Sequence, residues 1–142
     1  MTPILVRYHK KVMFVAFALY DFVDNRGQSV IRTWISDEGL TRRDIGQLNQ
    51  KLDMLRTSGF DLHPNLLAGP IGKQKHIYKL RVHAQRMLRP MLCKGPFEMD
   101  SEFTLLLGAI EINFKLDRDP VEATRNREAL LVDKTRRVKN AR

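Results

Sequence analysis

Apolar residues divide the chain into four strand-like runs, which are separated by helical segments and by turn-forming residues. The runs cover residues 12–22, 77–82, 87–93 and 103–112. The last run is almost wholly apolar, which predicts a central strand whose two faces are both covered. The pattern therefore predicts four strands, three of them close together in the second half of the chain.

Three other segments show the three- and four-residue spacing of a helix. Residues 29–35 form a short segment, and Pro120 opens the last one as a first-turn proline. Thr41 is a predicted N-cap with Asp44 three residues on, and Gly59 is a predicted C-terminal stop. The apolar stripe of this middle helix consists of Ile45, Leu48, Leu52 and Leu55.

The order of these elements is β-α-α-β-β-β-α, which is typical of an α+β domain. The connections between the later strands are too short for parallel crossovers, so these strands are predicted to be mostly antiparallel. The predicted fold is a two-layer domain in which a helical hairpin packs on a mainly antiparallel four-stranded sheet and a C-terminal helix follows.

The length of 142 residues favours a single domain, which we place at residues 12–133. Residues 1–11 form a basic leader, of which 1–10 are expected to be loose, and residues 134–142 form a basic tail that is expected to fray. Basic residues before the first apolar run resemble the start of a signal peptide. However, the run is short, and its small residues lie inside it rather than after it, where a cleavage site would be. A buried first strand is therefore predicted, and no stretch is long enough to cross a membrane.

Net charge narrows the choice of partner. The chain has 25 Lys and Arg against 16 Asp and Glu, a net charge of +9, and such an excess favours a polyanion, most often nucleic acid. The alternatives are an acidic partner or a basic surface without a partner. The single cysteine, Cys93, excludes an intrachain disulfide and a Cys-based zinc site and fits a reducing cytoplasm. No His, Asp or Glu pattern has metal-ligand spacing, so neither a metal nor a cofactor is expected.

Basic residues are patterned on two neighbouring runs. From residue 76 to 83 they alternate with apolar residues, so a strand places Lys79, Arg81 and His83 on one face. Arg89 lies on the next run, and pairing of the two strands would let Arg81 and Arg89 bind one phosphate. Metal-free RNA cleavage also needs proton transfer, for which Lys79 or His83 is the candidate. His83 is the more suitable because its unperturbed pKa is near neutral.

Four local motifs follow one another along the chain: Asp24-Asn-Arg-Gly27 with Val30 and Trp34; Leu67-Ala-Gly-Pro-Ile-Gly72 followed by Ile77-Tyr-Lys-Leu-Arg81; Arg86 with Arg89-Pro90; and Phe103-Thr-Leu-Leu-Leu-Gly-Ala-Ile-Glu111 with Lys115, Pro120 and Ala123. Their order and spacing resemble the RelE/ParE toxin superfamily, most closely its phage-derived Gp49-like (HigB-like) branch. The resemblance covers residues 12–135.

This resemblance implies a small cytoplasmic endoribonuclease that cleaves mRNA on the ribosome and is neutralised by a cognate antitoxin. It adds Lys115 to the catalytic set, at a position where the family usually has two lysines; here Leu116 follows Lys115. Neither a membrane nor a small-molecule cofactor is expected to take part. The residues expected to bind nucleic acid around the site are Lys75, Arg86, Arg136, Arg137 and Lys139.

A second hypothesis is a binding protein that has the same fold but does not cleave RNA. ParE members of the superfamily inhibit DNA gyrase, and a phage accessory protein could have lost cleavage; Leu116 in place of a second lysine favours this alternative. A third hypothesis is a structural or assembly protein whose basic patch is an interface. A shared fold does not choose between these activities.

Overall fold

The structure is a computed structural model that describes residues 4–8 and 11–141. It is an α+β fold, as predicted. Its helices are α1 (Val30–Asp37), α2 (Arg42–Ser58) and α3 (Pro120–Val132), and a 3-10 turn over Gly59–Asp61 follows α2. The strands are β1 (Ile4–Tyr8), β2 (Lys11–Val15), β3 (Ala18–Phe22), β4 (Leu67–Ala68), β5 (Tyr78–Leu80), β6 (Val82–His83), β7 (Met87–Leu88), β8 (Met91–Lys94), β9 (Glu102–Leu107), β10 (Ile110–Ile112), β11 (Lys115–Leu116) and β12 (Arg137–Lys139).

The strands form a large sheet, a small sheet and a hairpin. The large sheet has six strands in the order β12-β3-β9-β8-β5-β4, and its neighbours are antiparallel except for β3 and β9, which are parallel. The small sheet is antiparallel and has four strands in the order β11-β10-β7-β6. The antiparallel hairpin consists of β1 and β2. The sheet is thus more extensive than the four strands that the sequence predicts.

Each of the three later predicted runs is divided between the two sheets. The division falls at Arg81 in the first run, at Arg89 and Pro90 in the second, and at Gly108 and Ala109 in the third. These breaks lie side by side, since the Arg89 amide donates to the Ala109 carbonyl at 2.8 Å and the Leu80 amide donates to the Pro90 carbonyl at 2.9 Å. The three strands therefore bend together, which periodicity along a single strand does not show.

Trp34 of α1 lies against the bend at Gly108. A Cβ atom added to Gly108 would lie only 2.0 Å from Cδ2 of the Trp34 ring. The indole therefore occupies the space that any other side chain would need, because carbon atoms pack at about 3.5–4.0 Å. Gly108 is thus required where β9 ends and the chain turns into the small sheet.

Two apolar clusters cover opposite faces of the large sheet. Trp34 and Leu52, from α1 and α2, belong to one cluster with Leu92. Leu130 of α3 belongs to the other cluster with Cys93. Because adjacent residues of a strand point to opposite faces, α1 and α2 lie on one face and α3 on the other. Between the clusters, β9 is buried at every position, which confirms the predicted central strand.

The predicted capping box at the start of α2 is confirmed. The Thr41 hydroxyl accepts a hydrogen bond from the Asp44 amide at 3.1 Å, and the Asp44 carboxylate accepts one from the Thr41 amide at 3.2 Å. The second oxygen of Asp44 accepts from the amides of Gln85 at 3.0 Å and Arg86 at 3.3 Å. The cap therefore also holds α2 against the loop between β6 and β7.

The two ends of the chain differ from their expected loose state. β1 lies within the predicted leader and pairs with β2. In the predicted tail, β12 pairs with β3 along the edge of the large sheet, and Arg137 forms an ion pair with Glu102 at 2.6 Å. Backbone pairing and a partly buried ion pair therefore order a segment that local composition alone favours as frayed. None of the helices described is both long and apolar enough to cross a membrane.

Candidate nucleic-acid interface

Three cationic side chains and one carboxylate share a sheet face where the strands bend. We call Lys79, Arg81, Arg89 and Glu111 the basic cluster. Strand register supports the grouping, because Lys79 lies opposite Met91 and Glu111 lies opposite Met87, two residues of the run that carries Arg89 between them. This face also carries the apolar cluster under α3.

The pKa of Lys79 is shifted by the other charges of the cluster. Burial lowers the pKa of its ammonium group, and the positive charges of Arg81 and Arg89 lower it further, whereas Glu111 raises it. The net direction is downward, because three effects that disfavour the protonated form outweigh one carboxylate. A lysine with a lowered pKa is better suited to accept a proton than an ordinary surface lysine.

Arg89 is the buried member of the cluster, with only 3% of its surface exposed. Its Nε lies 3.3 Å from Oε1 of Glu111, and one terminal nitrogen donates to the Leu88 carbonyl at 2.9 Å. A buried charge must be compensated in this way, since an unpaired one costs several kcal/mol. The two partners hold Arg89 in place and leave only part of its guanidinium group for a ligand.

Arg81 and Lys79 are half-buried and less constrained. Neither side chain donates a hydrogen bond or forms an ion pair to any other residue in the described part of the chain. The Arg81 backbone is held, since its amide donates to the Leu66 carbonyl at 2.6 Å. These two side chains are therefore the members of the cluster with donors free for an anion.

His83 and Lys115 are both exposed but lie on different faces of the small sheet. His83 and Glu111 both lie opposite Met87, so His83 shares the face of the cluster. Lys115 lies opposite Ile112, the neighbour of Glu111, and therefore points to the other face. Of the predicted catalytic set, Lys79, Arg81 and Arg89 thus lie together, His83 lies on the same face as Glu111, and Lys115 lies on the opposite face.

Arg86, predicted to bind nucleic acid, makes contacts within the protein. Its guanidinium donates to Oε2 of Glu38 at 3.2 Å and to the Glu38 carbonyl at 2.7 Å. These bonds join the loop between β6 and β7 to the end of α1. Contact of Arg86 with nucleic acid stays a prediction.

The basic residues of β12 and Arg136, which precedes it, also pack on the protein. Arg136 donates to the Val23 carbonyl at 3.1 Å, and the Arg137 guanidinium lies 3.8 Å from the centroid of the Tyr20 ring. The Lys139 ammonium lies 5.2 Å from the centroid of the same ring. These contacts hold β12 on β3, and the role of its cations toward nucleic acid stays a prediction.

Lys75 borders a cavity of about 280 Å³ between the loop before β5 and α3. His76 and Arg127 also line it, and the pKa of His76 is lowered by burial and by the charges of Arg127 and Lys75. The sequence prediction missed Arg127, because α3 shows no basic alternation; it also missed Glu111, which lies in an apolar run. Only strand pairing identifies Glu111 as the partner of Arg89.

Two further kinds of reactive site concern the described residues, a metal centre and a cysteine nucleophile. No group of three or more His, Cys, Asp or Glu side chains is placed to hold a metal ion there. Cys93 is buried, as predicted, and burial raises the pKa of its thiol to about 12. At neutral pH the thiol is therefore protonated and is not a nucleophile.

Comparison with known proteins does not identify the chain: no protein-family model, no curated protein and no solved structure matches it. A functional assignment must therefore rest on the geometry and chemistry of the basic cluster. The cluster combines two half-buried cations without partners among the described residues and one positioned cation, and His83 lies on the same face as its carboxylate. Such a surface is suited to phosphate.

Proposed function

We propose that this chain is a RelE/HigB-like toxin that cleaves mRNA on the ribosome without a metal ion. The observation that carries the proposal is the basic cluster, in which the charges of Arg81, Arg89 and Glu111 all act on Lys79 and Glu111 is paired with Arg89. Its excess of positive charge suits the phosphate of an RNA backbone. We further propose that the α+β architecture is the RelE-like one.

The proposed reaction is an intramolecular transfer at one phosphodiester. The neutral amine of Lys79 takes the proton of the ribose 2′-hydroxyl, and the 2′-oxygen bonds to phosphorus. The bond from phosphorus to the 5′-oxygen breaks, and this oxygen takes a proton from the His83 imidazolium. The products are a 2′,3′-cyclic phosphate and a 5′-hydroxyl.

Charge on the phosphate is neutralised by the two arginines in different ways. Arg81 has donors free to bind the non-bridging oxygens as negative charge accumulates. Arg89 is held by Glu111 and the Leu88 carbonyl, so it acts from a fixed position. A preorganised cation of this kind stabilises a transition state without having to reorient during the reaction.

The proposed partners of the protein are mRNA, the ribosome and a cognate antitoxin, and its proposed location is the cytoplasm. Single-stranded RNA in a ribosome is held extended, so a small basic face can reach one phosphodiester at a time. An antitoxin would neutralise the toxin by covering the cations of the cluster. A small gene encoding a DNA-binding antitoxin next to this one would support this part of the proposal.

The test is cleavage of a defined mRNA on purified ribosomes in the presence of EDTA. Lys79→Met and Arg81→Met are each expected to lower the rate by about 10²- to 10⁴-fold, the usual contribution of a positioned acid, base or cation. Arg42→Met and Lys51→Met remove the same charges from α2 and should leave the rate unchanged. Full activity in both cluster variants would show that the site is wrong.

A second candidate is a binding protein on the same scaffold that does not cleave RNA, such as a gyrase inhibitor or a phage accessory protein. Two observations favour it: Arg89 is already engaged by two protein groups, and Lys115 points away from the cluster. Primer extension on mRNA from expressing cells separates the candidates. Cuts in phase with codons support the toxin, whereas intact messages support the binding protein.

A further inference from the structure

The tip of the hairpin between β10 and β11 presents an aromatic ring to solvent. Phe114 has 97% of its surface exposed, the largest value among the exposed apolar residues of the described chain. Its neighbour Ile112 is 57% exposed. An apolar side chain so fully exposed to water contributes almost nothing to the core and therefore adds little to the stability of the fold.

Phe114 also has an unfavourable backbone conformation. The two central residues of the turn, Asn113 and Phe114, have φ angles of 51° and 65°. Both values belong to the left-handed region, and this pattern is typical of a two-residue hairpin turn that prefers Asn followed by Gly. Asn tolerates the region well, whereas a bulky aromatic residue there is an outlier with a strained backbone.

Strain without a packing contribution indicates that the ring serves something outside the fold. Backbone strain of this kind occurs preferentially at ligand-binding and active sites. The ring is also close to the proposed site along the chain, since Glu111 of the basic cluster precedes Phe114 by three residues on the same hairpin.

One exposed cation stands beside the ring at the tip of the hairpin. Of the two carboxylates nearby, Glu111 pairs with Arg89, and Asp117 accepts a hydrogen bond from the Ile110 amide at 2.7 Å. Lys115, next to Phe114, is exposed and makes no ion pair with a described residue. The tip thus offers a cation and a flat aromatic surface together, the combination that binds the phosphate and base of an unpaired nucleotide.

We infer that Phe114 stacks on an unpaired base of the RNA strand whose backbone contacts the basic cluster. This inference rests on the proposed function and adds to it a base contact outside the reacting phosphodiester. A protein partner is less well supported, because the apolar surface at the tip consists of a few side chains. Stacking on a base is tolerant of sequence, since every base has a flat π-face.

The experiment measures the affinity of a short single-stranded RNA by fluorescence anisotropy. Phe114→Gly should weaken binding about 5- to 150-fold, the range reported for the loss of one stacked base, while Phe114→Trp should retain it. The melting temperature of Phe114→Gly should not fall, because glycine relieves the left-handed strain of the turn. Lower affinity without lower stability is the signature expected of a ligand contact.

Asn113→Gly is the matched control, since it changes the same turn and keeps the ring. It should bind RNA as the wild type does, and Val132→Ala, which truncates an 89% exposed residue on α3, should do so too. An RNA with an abasic nucleotide at the stacked position should bind wild type and Phe114→Gly equally. Equal affinity of wild type and Phe114→Gly for intact RNA overturns the inference.

The outcome also separates this inference from the proposed function. If Lys79→Met and Arg81→Met weaken binding and Phe114→Gly does not, the cluster binds RNA and the stacking contact is absent. If wild type does not bind the free RNA, the stacking inference fails, whereas the proposed function is decided separately by cleavage on ribosomes. A change of oligomeric state in Phe114→Gly with unchanged RNA affinity would identify the tip as a protein contact and overturn the inference.

Discussion

Arg81 and Arg89 both follow an apolar residue on neighbouring strand-like runs, but their environments differ. Arg89 is buried against Glu111, whereas Arg81 keeps its guanidinium free of any ion pair with a described residue. The sequence predicts the two as a pair of equal phosphate ligands. Their environments instead favour a division of work, in which Arg89 positions charge and Arg81 binds the phosphate directly.

The lowered pKa of Lys79 makes the pH dependence of cleavage a direct test of its role. A base acts in its neutral form, so in a His83→Gln background, which removes the proposed acid, the rate should rise as pH increases through the pKa of Lys79. After burial, Arg81 is the next cause of the lowered pKa, so Arg81→Met should move the midpoint of this rise to higher pH. Glu111→Gln removes a charge that raises the pKa and should move the midpoint to lower pH.

The measurement is the pH profile of single-turnover cleavage under ribosome excess. Two shifts of opposite sign are difficult to explain by general damage to the protein, which would lower the rate without moving the midpoint in two directions. Identical midpoints in His83→Gln with and without Arg81→Met or Glu111→Gln would exclude Lys79 as the base.

The six strands from β5 to β10 are best described as three bent segments. Each passes between the large sheet and the small sheet, and all bend beside one another at Arg81, Arg89 and Gly108. The bend brings Glu111 of the small sheet toward cations that lie at the edge of the large one. Without the bend, the basic cluster would lack the carboxylate that pairs with Arg89.

Gly108→Ala should therefore destabilise the fold and disturb the cluster. The added Cβ would lie 2.0 Å from the Trp34 ring, and such overpacking costs about 3 kcal/mol. Gly46→Ala is the matched control, because its new Cβ has nothing within 4 Å and lies within α2. That variant should be more stable by about 1 kcal/mol, since alanine is the better helix former.

Chemical denaturation provides the free energy of unfolding for both variants. Combining Gly108→Ala with Trp34→Leu, which removes the obstructing ring, should recover part of the loss if contact with the ring is its cause. Equal stability of Gly108→Ala and wild type would show that the indole does not restrict the bend.

The net charge of +9 governs how the whole molecule meets a polyanion. Several of its cations are held by protein partners, as Arg86 is by Glu38 and Arg137 is by Glu102. The effective phosphate contacts are therefore fewer than composition indicates. The cations free of such partners include Lys79 and Arg81 in the basic cluster.

The number of contacts between protein cations and RNA phosphates can be measured from the salt dependence of RNA affinity. For a single strand, each phosphate contact contributes a slope of about −0.7 to the plot of log affinity against log salt concentration. Lys79→Met and Arg81→Met should each reduce the magnitude of the slope by about 0.7, and Lys51→Met should not change it. Phe114→Gly should lower affinity at every salt concentration with the slope unchanged, because stacking releases no counterions.

Titration of a labelled RNA over a series of salt concentrations supplies these slopes. If Arg86→Met lowers the slope as much as Arg81→Met does, the ion pair of Arg86 with Glu38 opens on binding. Slopes that are the same in all variants would contradict a phosphate contact at the basic cluster.

Much of the local structure could be predicted from the hydrophobic pattern and the capping residues. The bounds of α2 follow from Thr41 and Gly59, and the burial of β9 follows from an uninterrupted apolar run. The alternation around Leu80 also places Lys79 and Arg81 away from the core under α1 and α2. These features depend on residues a few positions apart, where spacing and local hydrogen bonds are sufficient.

The environment of each charge could not be predicted in this way. Arg89 meets Glu111 across 22 positions, Arg137 meets Glu102 across 35 and Arg86 meets Glu38 across 48. Such pairs form only after strands have bent and packed. Hydrophobic periodicity describes positions a few residues apart and therefore cannot identify them. The sequence could therefore identify the basic residues and the α+β class, whereas packing of distant segments selects which cations remain free for a ligand.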